Sequence, residues 1–133
     1  MSETMTQKIT GVTPYLTVRG ASEASEFYQR AFGAEELDRK SGEDERLIHC
    51  HLRINGADLM MSDEFPEYGC ALGDGPNGVT LHLAVDDADE WWNRAVAAGA
   101  TVTMPIADQF WGDRYGQLRD PFGHSWSIGG PKK

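Results

Sequence analysis

The chain writes one helix twice. Residues 26–34 read "EFYQRAFGA" and residues 90–100 read "EWWNRAVAAGA". At an offset of 64 (90 − 26), Glu26, Phe27, Tyr28, Gln29, Arg30 and Ala31 meet Glu90, Trp91, Trp92, Asn93, Arg94 and Ala95 in kind. Ala24, Phe27, Tyr28 and Ala31 recur at i, i+3, i+4 and i+7, as do Ala88, Trp91, Trp92 and Ala95, so each set makes one apolar stripe that must be buried. Ser22 with Glu23 is expected to open the first helix, and Asp87 with Glu90 three residues on makes a capping-box-like start for the second. Gly33 and Gly99 fall where a left-handed residue ends a helix. Any two amphipathic helices share the spacing. The matched order of acid, two aromatics, amide, Arg and Ala goes further and points to a duplicated module.

The surroundings repeat as well. "VTPYLTV" precedes the first helix and "VTLHLAV" the second, and in the latter Val79, Leu81, Leu83 and Val85 alternate with Thr80, His82 and Ala84 as in a strand. Three further strands are expected after each helix. The first set is "EELDRK", "RLIHCHLRI" and "ADLMMSD", with Asn55-Gly56 as the hairpin turn. The second is "TVTMPI", "DQFWGDRYGQLR" and "HSWSI", with Asp120-Pro121-Phe122-Gly123 as a type I turn. The fold class is therefore α+β: two tandem βαβββ modules whose curled mixed sheet encloses a cup-shaped cleft, with the helices on the outer face. One domain spans 1–133, with module one at about 9–62, a Gly- and Pro-rich linker at 63–78 and module two at about 79–129.

Alternation assigns the faces. Ile48, Cys50, Leu52, Ile54, Leu59, Met61, Leu81, Leu83, Trp126 and Ile128 belong under the helices. Thr13, Tyr15, Thr17, His49, His51, Arg53, Met60, Ser62, Thr80, His82, Ser125 and Ser127 belong to the opposite face, the wall of the cleft, where small-molecule sites usually lie.

Composition narrows the partners. Net charge is −9 over 133 residues, with a sequence pI near 4.7 and no basic cluster to offset it, which disfavours nucleic acid and anionic membranes. The opening "MSETMTQK" lacks the apolar core of a signal peptide, and no run approaches the ~18 apolar residues of a membrane span. Cys50 and Cys70 have no CxxC spacing and suit reduced thiols, so a cytoplasmic location is expected.

The paired modules, the helix ends "FYQRAFGAE" and "NRAVAAGAT", the run "INGADLMMSD" and above all "FWGDRYGQLRDPFGHSW" resemble the PhnB-like branch of the vicinal oxygen chelate superfamily, which includes glyoxalase I, bleomycin- and fosfomycin-resistance proteins and extradiol dioxygenases. The resemblance covers about Thr10 to Ile128. It implies the paired-module fold and a homodimer. The superfamily's metalloenzymes hold one divalent metal with His or Glu on the two module-opening and two module-closing strands. Carried over by strand context, those positions are Thr13, Met60, Thr80 and Ser127. Hydroxyls and a thioether do not replace imidazole and carboxylate, so no metal and no other cofactor is expected.

Other residues offer chemistry. His49 and His51 share a strand face at about 6.6 Å, and with His82 they would make three imidazoles able to hold a displaced metal or to act as acid and base. The preferred reading is that they line a polar wall. In "FWGDRYG", Trp111 and Tyr115 would supply aromatic contact and Arg114 would receive an anionic group; the same residues would also serve as a strand that finishes the core. Trp91 and Trp92 are assigned to helix packing and Cys50 to the inert core. The expected ligand-binding set is Tyr15, His49, His51, Met60, His82, Trp111, Arg114 and Tyr115, around a small molecule. Two alternatives remain: a metal-dependent enzyme at the displaced His site, or a structural dimer with a vestigial cleft.

Overall fold

A computed structural model describes residues 11–69, 73 and 78–133. Module one runs β1 (Tyr15–Val18), α1 (Ala21–Phe32), β2 (Glu35–Ser41), β3 (Leu47–Ile54) and β4 (Ala57–Asp63). A 3-10 turn, Pro66–Tyr68, follows; module two runs β5 (Thr80–Ala84), α2 (Ala88–Ala98), β6 (Thr101–Asp108), β7 (Asp113–Arg119) and β8 (Ser125–Pro131). The described residues hold no helix long and apolar enough to cross a membrane.

Each module makes its own four-stranded mixed sheet, in the orders β1-β4-β3-β2 and β5-β8-β7-β6. The curled mixed sheet is built from two hydrogen-bonded ladders, one per module. The repeat extends to register: Tyr15 pairs with Met60 and His82 with Ser127 in the parallel ladders, 45 residues on in both (60 − 15 and 127 − 82). Asn55 (φ 51°) and Gly56 (φ 80°) make the left-handed pair that a two-residue hairpin turn requires.

The helices cover one face of each sheet. Tyr28, Phe32, Leu52, Met61, Leu118 and Ile128 are among the largest fully buried side chains. Tyr28 and Phe32 of α1 reach across to Trp126 on β8, with ring centroids 5.4 and 4.5 Å away, so the first helix also supports the second sheet. Trp92 is buried and Trp91 half-buried against the core. Ile48 departs from the expected face. Lys40 pairs with His49 and Ser41 with Leu47, so the ladder slips at Ile48, which turns outward while Leu47 takes the buried place.

Two carboxylates are buried with full hydrogen bonding. Asp63, at the end of β4, accepts from Gly20 N (2.7 Å) and Ala21 N (3.0 Å) through Oδ1 and from Leu47 N (2.7 Å) through Oδ2. It therefore caps α1, a role the sequence had assigned to Ser22 with Glu23; the helix begins one residue earlier, at Ala21 after a left-handed Gly20. A cap supplied from a strand 42 residues away leaves no local motif. The second helix keeps its expected local cap, Asp87 Oδ1 accepting from Glu90 N at 3.1 Å. Asp120, first residue of the DPFG turn, accepts from Tyr28 Oη, Trp126 Nε1, Phe122 N and His124 N.

The modules also meet through side-chain donors on main-chain carbonyls. Asn55 Nδ2 donates to Ala84 O (2.9 Å), His124 Nε2 to Thr17 O (3.0 Å), and Arg94 to Arg30 O (2.8 Å) and Gln29 O (3.3 Å). Arg94 thus meets two last-turn carbonyls of α1, Arg30 O and Gln29 O, the second of which also accepts the Gly33 N–H at 3.1 Å. His124 is half-buried in this seam.

Two predictions follow from these contacts. Asp63→Ala strips three amides, two of them buried, of their acceptor and should cost about 2–4 kcal/mol, clearly more than Asp87→Ala at an exposed cap, measured by urea unfolding. Burial first, and the Asp120 carboxylate second, hold the Tyr28 phenol well above its ordinary range, while burial pushes the Cys50 thiol up to about 11. Both folded values are raised. Their stabilisation is therefore complete below the unfolded values, about 8.5 for Cys and about 10 for Tyr, and is lost as pH climbs toward the folded ones. Unfolding free energy should fall from about pH 9 upward, and Tyr28→Phe should flatten the part of the fall above about pH 10.

Candidate ligand-binding site

The face of each sheet away from the helices carries a transverse row of side chains fixed by strand register. On the first sheet the row is Tyr15, Met60, His51 and Asp38. Tyr15 Oη lies 3.0 Å from His49 Nδ1, and the His49 and His51 ring centroids are 6.4 Å apart. His51 Nε2 is closed off from solvent and makes no hydrogen bond among the described residues; its nearest acid is Asp58 Oδ1 at 3.4 Å. Asp58 belongs first to Arg53 (3.1 Å), whose guanidinium holds that carboxyl below the usual range, with His51 adding a smaller effect.

On the second sheet the row is His82, Ser127, Gln117 and Met104. His82 Nδ1 is 2.7 Å from Ser127 Oγ, and its ring stacks on Tyr115 at 5.9 Å with planes 26° apart. Trp111 meets Tyr115 edge-on at 5.5 Å and Phe110 meets Trp111 edge-on at 5.1 Å, so four rings run from an exposed turn onto the sheet. Gln117 Nε2 donates to Tyr115 Oη at 3.0 Å. Gly129 is the floor of this stack: a Cβ there would stand 2.9 Å from His82 Cε1 and 3.3 Å from Tyr115 Cδ2. Gln117 and Gly129 were not singled out in the sequence. Alternation from Tyr115 would have placed Gln117 beside it.

The structure divides the expected set. Tyr15, His49, His51 and Met60 stand on the first open face, His82, Tyr115 and Trp111 on or beside the second. Arg114 stands apart. Strand alternation turns it to the helix side, where Nε donates to Asp89 Oδ1 of α2 (3.0 Å) and Nη1 pairs with Asp108 (3.4 Å), so it does not face a ligand on the open face. Phe110, Trp111 and Gly112 (φ 105°) form the turn between β6 and β7, where a continuous strand had been expected. Cys50 is buried, as an inert core thiol should be; Cys70 lies outside the described residues.

A metal at the superfamily's usual positions does not fit. Ser127, 2% exposed, has its hydroxyl engaged with His82 Nδ1, Met60 sits between Tyr15 and His51 in the row, and Thr13 and Thr80 are exposed hydroxyls. His49 and His51 contact groups of the first sheet and His82 groups of the second. Among the described residues no three His, Cys, Asp or Glu side chains gather in metal-holding geometry.

Between the two sheets, edge strand β1 faces the strand-β5 side across a cavity of about 370 Å³, lined by Pro14 to Thr17 from module one and by Val79, Leu81 and Gly123 to Ser125 from module two. Paired βαβββ modules meeting in this way are shared with known proteins. The family model described as the Glyoxalase/Bleomycin resistance protein/Dioxygenase superfamily matches residues 8–128. The chain belongs to this superfamily. An uncharacterized protein of Mycobacterium bovis is 47% identical over 127 residues, 90% of this chain and 82% of that protein. Among solved structures, a putative 3-demethylubiquinone-9 3-methyltransferase, PhnB protein, from Bacillus cereus superposes with TM-score 0.72 at 21% identity, covering 90% of this chain and 98% of that one. The fosfomycin resistance protein FosX from Listeria monocytogenes superposes with TM-score 0.73 at 16% identity, covering 95% and 96%. At those identities the likeness is one of fold. This glyoxalase-superfamily chain therefore keeps the scaffold while its own open faces carry an aromatic ladder and a Tyr-His row.

Proposed function

We propose that this glyoxalase-superfamily protein binds a flat small molecule on the open faces of its sheets, as a homodimer, without the superfamily's metal. The observation that carries the reading is the ring ladder Phe110, Trp111, Tyr115 and His82. Phe110 is 95% and Trp111 49% exposed, and rings left in water beside a row of hydrogen-bonding groups are what a planar ligand needs for stacking and orientation. Ser127, Gln117 and His82 supply that polar row, and Tyr15, His49, His51 and Met60 supply a comparable wall on module one. A single open face desolvates one side of a ligand only. Apposing it to a second wall, through a two-fold partner, encloses the other side. The exposed edge strands β2 and β6 offer backbone groups that a partner can cover. No catalytic step is assigned, because the imidazoles do not converge on one reacting position.

Amide spectra test the ladder, since each of the four tryptophans gives one indole N–H signal. Titration with flat heteroaromatic fragments such as quinolines should move the Trp111 signal and leave that of Trp126, which is locked on Asp120 at 2.8 Å. Trp111→Phe should remove the response and keep the fold. A Trp111 signal indifferent to every fragment, with Trp111→Phe lowering the melting temperature by several degrees, would make the turn part of the core and sink the reading. Light scattering should give twice the chain mass of 14.7 kDa; a mass of one chain at all concentrations would remove the dimer.

A further inference from the structure

A second cavity, of about 730 Å³, lies on module one where the outward-turned Ile48 meets the segment after β4. That volume is within the ~300–1,000 Å³ typical of small-molecule sites. Its apolar surface comes from Tyr15, Ile48, Phe65 and Tyr68, and its charges are Glu43, Asp44, Glu67 and Arg46. Ile48 is 53% and Tyr68 80% exposed, so much of this surface is open to a ligand.

The cavity already seats one planar cation of the chain itself. The Arg46 guanidinium carbon lies 4.1 Å from the Phe65 ring centroid. Its nitrogens pair with Glu67 (2.8 Å) and Asp44 (3.0 Å) and donate to Glu64 O (3.0 Å). Arg46 uses one aromatic face and two of the three carboxylates. Glu43 keeps no ion-pair partner among the described residues, and the lining retains a net charge of −2 (one guanidinium against three carboxylates). An anionic ligand would meet that surplus as repulsion, and a neutral one would leave it unused.

We propose that this cavity binds a small organic cation with a flat apolar body, of the aromatic amidine or guanidine class. The body lies against Ile48 and Tyr68, and the charge is held at Glu43 beside the Arg46 seat. Aromatic faces attract such cations directly, most strongly where water is partly excluded. The site is separate from the ring ladder, which stands on module two.

Benzamidine is the probe, with benzamide and benzoate as its neutral and anionic counterparts, read on the ¹³C signal of the Ile48 methyl group in the full chain. Millimolar benzamidine should shift that signal saturably, and the two counterparts at equal concentration should not. Glu43→Gln and Tyr68→Ala, both at exposed positions that leave the fold alone, should each weaken binding by about three- to tenfold. Trp111→Phe should leave the response unchanged, so this site and the ladder stand or fall separately. An unmoved Ile48 signal, an equal response to benzamide, or benzamidine binding that neither variant weakens would overturn the proposal.

Discussion

Asp120 holds the two halves of this molecule to one another through a buried carboxylate. Tyr28 brings it a hydroxyl from the first helix, Trp126 an indole from the last strand, and the DPFG turn two backbone amides. A buried charge is tolerable only when its hydrogen-bonding capacity is met, and here the four donors depend on three different elements being in place. The Tyr28, Phe32 and Trp126 rings can pack tightly because that polar centre fixes their heads. Asp63 performs the equivalent task inside module one, tying the start of α1 to the start of β3. The open faces are free to carry exposed rings because stability resides on the other side of the sheets.

Duplication kept the backbone and let the surface diverge. The parallel pairing falls at the same separation in both modules, so Tyr15 corresponds to His82, Met60 to Ser127, His51 to Gln117 and Asp38 to Met104. None of these pairs is chemically alike. Backbone ladders constrain register tightly, since a slip of one residue would turn each buried side chain outward. The faces turned away from the helices carry less of that constraint, and that is where the two modules differ in chemistry.

What was legible in the sequence follows the same division. The repeat, the element order, the Asn55-Gly56 turn, the glycine helix ends and the Asp87 cap all depend on neighbours along the chain. So does the family, through the run around "DPFG". The misplacements arose where distant groups decide. Asp63 caps a helix from another strand, a ladder slip turns Ile48 outward, and Asp89 on α2 claims the side chain of Arg114. His124 belongs to a seam between modules that no local pattern announces. The open faces were correctly grouped by alternation sheet by sheet, but alternation contains no information on how two sheets lie relative to each other. That gap is why the sequence left open a grouping of three histidines that stand on two separate sheets.

The seam between the modules has one further consequence. Asn55, His124 and Arg94 each reach into the other module and find a backbone carbonyl there, at Ala84, Thr17, Arg30 and Gln29. A carbonyl is present whatever side chain its residue bears. Substitutions at those acceptor positions therefore leave the junction standing, and the surface on the receiving side can drift without a matching change in its partner. Only the three donors are tied to their identity. A lineage of such proteins can revise its open faces one at a time while keeping the same two-module frame.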